Sequence, residues 1–194
     1  MPFPRTWVEE LLAEWLEYQG YMVGTGLTVP IQHRQEGSKG GGRYEADVVG
    51  VRCSGDQCEI RHIESGAYVD QNIVDRLRKK FSSDVCEEIK KRYAWSSAVS
   101  GRRARYIKQY VVTHPHQKPA EWERWVTEIS KVDSEVEVIA LDNLLRDEIL
   151  PGLRRSGSSG PTIPEGYWLL CSLAYAHDYE IMQGMEPVHR AERV

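Results

Sequence analysis

The sequence predicts an α/β fold: a mixed central sheet flanked by helices, with an extra helix at the C-terminal end. Three observations predict it. Residues 5–19 repeat apolar side chains at helical spacing. Residues 43–65 hold two strand-like runs joined by a four-residue turn. From residue 69 onward helical and strand patterns alternate, which argues for helices on both faces of one sheet.

Each element has a local reason. In 5–19, Trp7, Val8, Leu11, Leu12, Trp15 and Leu16 form one stripe. Thr6 followed by Glu9 is a capping box, and Gly20 ends the helix. Residues 21–31 read as a strand through Val23, Leu27 and Val29, interrupted by Gly24 and Gly26. Residues 32–42 are polar and Gly-rich and read as a loop. Residues 43–53, with Ala46, Val48, Val49 and Val51, and 58–65, with Ile60 and Ile63, form a hairpin about the turn 54–57. Val69, Ile73, Leu77, Phe81, Val85 and Ile89 recur every fourth residue, and Ser82-Ser83-Asp84 divides that stripe into two helices. Residues 105–113 are a strand closed by His114-Pro115-His116, and 119–131 a helix with Trp122, Trp125, Val126 and Ile129 on one side. Residues 136–141 are a strand, after which Asp142 caps a short helix to Leu150. By composition 156–163 is a linker between a core at 1–155 and a C-terminal helix and tail at 164–194. The apolar residues Tyr167, Trp168, Leu169, Leu170, Leu173 and Tyr175 of that helix suit packing on the core or pairing in a homodimer.

Composition narrows the function classes. With 194 residues, 41% hydrophobic and 28% charged, the chain suits a globular core rather than a rod or a disordered segment. No apolar run reaches the roughly 20 residues of a membrane span, so no membrane partner is expected. The first residues carry no signal-like apolar stretch, and four cysteines do not make a disulfide scaffold. Both point to a cytoplasmic protein with reduced thiols. Cys53, Cys58 and His62 supply too few ligands for a tetrahedral zinc set. Gly40-Gly41-Gly42 lacks the Lys-Ser/Thr of a phosphate-binding loop.

The net charge of −4 hides an asymmetry: residues 76–108 carry +8 and the remainder −12. A basic block in an acidic chain suits a phosphate backbone, and Arg102, Arg103, Arg105 and Lys108 are its candidate nucleic-acid contacts.

The hairpin carries the chemistry. With Cys53 opposite Cys58, paired positions sum to 111, and Asp47 faces Glu64. Directly opposed side chains lie about 5 Å apart, where like charges destabilise a sheet. A divalent cation resolves that repulsion, because Mg²⁺ accepts one or two carboxylates alongside water and phosphate oxygens.

The order helix–strand–hairpin, with Glu9 in Val8-Glu9-Glu10-Leu11-Leu12, Asp47 in Tyr44-Glu45-Ala46-Asp47-Val48-Val49 and Glu64 in Ile60-Arg61-His62-Ile63-Glu64-Ser65-Gly66, resembles the PD-(D/E)XK nuclease superfamily. The resemblance covers residues 5–141, mainly as element order, and its motif is short. It implies a restriction endonuclease-like sheet and Mg²⁺- or Mn²⁺-dependent hydrolysis of DNA phosphodiester bonds. It further implies Asp47 and Glu64 as metal ligands, with Glu9 in support. The chain departs from the family at Gly66, where the water-activating lysine belongs, and at Ala46, where a proline is common. Lys79 or Lys80 can supply a migrated lysine, and His62, two residues before Glu64, is a candidate base. The alternative is an inactive module of the same fold that binds nucleic acid or a protein.

Overall fold

The computed structural model describes residues 6–30, 43–93, 103–154 and 163–178. Helix α1 (Trp7–Tyr18) begins at Thr6, whose hydroxyl accepts the Glu9 amide at 3.2 Å and donates to the Glu9 carboxylate at 3.1 Å. Three antiparallel strands follow: β1 (Met22–Pro30), β2 (Arg43–Ser54) and β3 (Gln57–Gly66). Gly55, with φ at 59°, makes the tight turn between β2 and β3.

The helical stripe divides as its serines predict, into α2 (Gln71–Lys80) and α3 (Ser83–Tyr93). Asp70 caps α2 by accepting the Ile73 amide at 2.8 Å. Strand β4 (Arg103–Val112), helix α4 (Pro119–Val132) and strand β5 (Val136–Ala140) complete the sheet. Its order is β1-β2-β3-β4-β5, with β4 parallel to β3 and β5 parallel to β4. The two parallel joins need crossovers, which α2–α3 and α4 supply.

Asp142 does not cap the next helix as expected. Ala140 stands at the N-cap of α5 (Leu141–Leu144), and the helix continues through a π-helical turn (Leu145–Ile149) into α6 (Leu150–Arg154). Helix α7 (Trp168–Asp178) is the last described element. The linker expected at 156–163 lies almost wholly outside the described residues, as does the loop 32–42.

Apolar side chains bury on both sheet faces. On one, Val48, Ile63 and Val111 meet α1, α5, α6 and α7. On the other, Tyr110, Val112 and Val136 meet α2 and α4, while Val49, Val51 and Ile60 meet Val85 and Ile89 of α3. The apolar stripe of α7 therefore packs inside its own chain: Leu170 is fully buried, and Trp168 and Tyr175 stay exposed. Among the described residues no helix is long and apolar enough to cross a membrane.

The expectation of reduced thiols fails at the hairpin. Cys53 and Cys58 are directly opposed, with Cα atoms 4.1 Å apart, and form a disulfide; Cys86 and Cys171 are free. The opposed register brings the two sulfurs within bonding reach.

A candidate catalytic site at the end of the hairpin

The β2–β3 ladder keeps the predicted register from Ser54 opposite Gln57 to Val48 opposite Ile63. Beyond that pair the side chains take over. The Asp47 carboxylate accepts the Ser65 amide at 2.9 Å. On its other side, the β1–β2 ladder passes from Thr25/Val48 to Leu27/Ala46, and the skipped Gly26 has φ at 57°. Asp47 thus sits just past the end of the β2–β3 ladder, within a β1–β2 register that continues on both sides, and its carboxylate takes up a β3 amide.

Lys80, the last residue of α2, reaches down to this point. Its Nζ donates to Asp47 Oδ1 at 2.9 Å and also to Glu64 Oε2. The opposed carboxylates inferred from register are therefore gathered around one cation. Of the two candidate lysines, Lys80 is the one that reaches the carboxylates; Lys79 next to it is exposed. Two carboxylates hold the Lys80 ammonium above its usual range despite burial, which opposes the charge. Burial and the charge of Asp47 push Glu64 upward, against the pull of His62 and Lys80.

His62 differs from a base open to water. It is fully buried, with Nε2 2.9 Å from Glu64 Oε1 and Nδ1 3.0 Å from the Tyr106 hydroxyl. The ring of Phe81 stands edge-on at 4.9 Å. Both ring nitrogens are engaged by protein groups, so His62 is placed to hold Glu64 rather than to take a proton from solvent.

Glu9 is buried near the start of α1. Its carboxylate serves its own helix end through Thr6, and α1 packs against the Val48/Ile63 face. Among the described residues no three His, Cys, Asp or Glu side chains gather as a metal cluster.

Gly66 has a structural cause. A Cβ there would run into the Tyr110 hydroxyl and lie 3.1 Å from Tyr110 Cζ. Tyr110 is fully buried and donates its hydroxyl to the Tyr68 carbonyl at 2.9 Å. Tyr110 fills the space beside Gly66, and the positive charge at the carboxylates comes from Lys80 of α2.

The basic block is less available than its composition suggests. Lys108 is ion-paired to Asp133 at 2.6 Å and to Glu135 at 3.3 Å. Arg103 begins β4 and Arg105 lies inside it, as the strand pattern from residue 105 predicts, while Arg102 lies outside the described residues. Arg105 is opposite Glu59, five residues before Glu64, so it stands about 17 Å from the site along the strand. Exposed bases nearer the site are on α2, at Arg76 and Lys79.

Tyr106, Tyr110 and the Ser65 amide were not found from sequence. Their roles follow from the parallel β3–β4 register, which puts Tyr110 opposite Glu64 and Lys108 opposite His62, and no local pattern encodes it.

Comparison adds little to this geometry. No protein-family model matches the chain, and no curated protein is significantly similar to it. A solved structure, the crystal structure of protein of unknown function AF1548, is 12% identical with a TM-score of 0.37, over 92% of this chain and 98% of that one. A likeness this loose assigns neither fold nor function.

Proposed function

We propose that this chain is a divalent-metal-dependent nuclease that hydrolyses phosphodiester bonds of DNA at the Asp47–Glu64–Lys80 cluster. The observation that carries the reading is the Lys80 ammonium bridging two carboxylates from neighbouring strands. The donor set fits Mg²⁺ or Mn²⁺. Asp47 and Glu64 offer hard oxygen ligands already directed at one positive charge, and Mg²⁺ commonly takes only one or two carboxylates, completing its shell with water and phosphate. When bound there, the ion supplies polarisation of the phosphate and a lowered pKa for the attacking water.

The chain's own residues do the rest. The Ser65 amide fixes one oxygen of Asp47 and His62 fixes one oxygen of Glu64, so each ligand keeps its orientation. Lys80 stays an ammonium at neutral pH, which makes it an electrostatic group rather than a base. It is the cation on hand to offset charge developing on the phosphate.

The test is cleavage of labelled single-stranded and duplex DNA during a Mg²⁺ or Mn²⁺ titration. Wild type cuts only with metal, and the near-isosteric Asp47→Asn and Glu64→Gln variants lose about 100-fold or more. Cleavage by Asp47→Asn at the wild-type rate sinks the assignment. A wild type that binds DNA but never cuts it replaces this reading with the non-catalytic module.

A further inference from the structure

We propose that Tyr68 is a stacking platform for an unpaired DNA base beside the Asp47–Glu64–Lys80 cluster, with Arg76 holding a neighbouring phosphate. The inference rests on the nuclease reading and adds to it the substrate class: single-stranded DNA, or a nucleotide displaced from a duplex.

Tyr68 lies in the connection between β3 and α2, four residues beyond Glu64, and its side chain is 53% exposed. Such exposure alone means little, but this loop is held at every peptide. Gly66 O accepts the Thr113 amide at 2.9 Å and Ala67 O accepts the His114 amide at 2.7 Å. Tyr68 O accepts the Tyr110 hydroxyl at 2.9 Å, and Val69 O lies 3.1 Å from His116 Nε2. Asp70 then caps α2. Four successive carbonyls are tied to residues 110–116, so the backbone presenting Tyr68 is fixed while its ring meets solvent. A rigid aromatic side chain offers contact area with little ordering entropy left to lose on binding. A base face stacks on it whatever its identity, whereas paired bases already stacked in a duplex do not present that face.

Arg76 completes the subsite. It is exposed on α2 four residues before Lys80, one helical turn or about 6 Å along the axis. Tyr110, which holds the Tyr68 carbonyl, feels the charges of Arg76, Asp47 and Glu64 together. The backbone that presents Tyr68 and the strand position of Glu64 are thus joined through one buried tyrosine, Tyr110, which lies opposite Glu64 on β4.

The experiment measures binding of a fluorescent single-stranded oligonucleotide and its blunt duplex to the full chain in chelator, so that no cleavage occurs. Wild type binds the single strand more tightly. Tyr68→Ala weakens single-strand binding roughly 5- to 150-fold, Tyr68→Phe preserves it, and duplex binding hardly moves. Arg76→Ala weakens binding and lowers the salt slope by about 0.7. The Tyr68 carbonyl bond is a backbone bond that alanine retains, and circular dichroism checks the fold. Unchanged binding in Tyr68→Ala, a preference for duplex, or no binding by wild type each overturns the platform. Metal-dependent cleavage lost in Asp47→Asn but indifferent to Tyr68 leaves the nuclease standing without the platform. Tyr68-dependent binding with no cleavage does the reverse.

Discussion

The buried Tyr110 hydroxyl takes the volume that any Cβ at position 66 requires, and α2 delivers Lys80 to the Asp47 and Glu64 carboxylates. Gly66→Ala should therefore cost about 1–3 kcal/mol through overpacking, measured by denaturant unfolding. Gly66→Lys should unfold more readily still and should not increase cleavage; faster cutting by that variant would show that the site lacks a working lysine. The charge state of Lys80 follows from its raised pKa. Its contribution to stability is fully present below the unfolded value of 10.5 and is lost only as pH rises through the higher folded value. The bridge is accordingly intact across neutral pH. At this scale the facing of Asp47 and Glu64 was legible in sequence, because hairpin register is simple arithmetic; Lys80 was one of two candidates, and only the end of α2 separates it from Lys79. His62 was legible as a candidate but not in its role, since full burial depends on Phe81 and Tyr106 arriving from other elements.

Glu14 of α1 ties the last helix to the core. Its carboxylate accepts the Leu170 amide at 2.9 Å and the Leu169 amide at 3.4 Å, capping the first turn of α7 from another element. Burial pushes its pKa up, more than the two amides pull it down. The folded state therefore binds the proton more tightly than the unfolded chain. The resulting stability is present below the unfolded value of 4.5 and is lost as pH rises through the folded one. Glu14→Gln removes that titration, so the stability of wild type relative to Glu14→Gln should fall between pH 4 and pH 7, as read from melts across that range. A constant difference would mean that Glu14 is solvated in solution. The strands and amphipathic helices were readable from period alone. Core packing of α7 was one of the two readings its apolar stripe allowed, whereas the start of α5 and the π-helical turn carry no local sequence signal.

For the molecule as a whole, the sheet runs from a closed end to an open one. At the hairpin turn Cys53 and Cys58 are bonded; where the β2–β3 pairing ends, the side chains of Asp47 and Glu64 meet at Lys80. The disulfide closes a loop of only a few residues, so reducing it should cost about 2 kcal/mol and leave the distant site intact. Legibility follows the same division: sequence order revealed the sheet's antiparallel half, whereas the parallel half required a register that only tertiary contacts provide. Lys80 also separates folding from metal supply. Its ammonium already balances the paired acids, so the apoprotein carries no uncompensated repulsion at that point. Prolonged chelation should leave the melting midpoint unmoved, while Lys80→Ala, which strands a buried carboxylate, should lower stability by about 3 kcal/mol. On the proposed metal-dependent reading, such a chain can be made, stored and held folded in a metal-starved compartment, and the arrival of a divalent ion would put it to use.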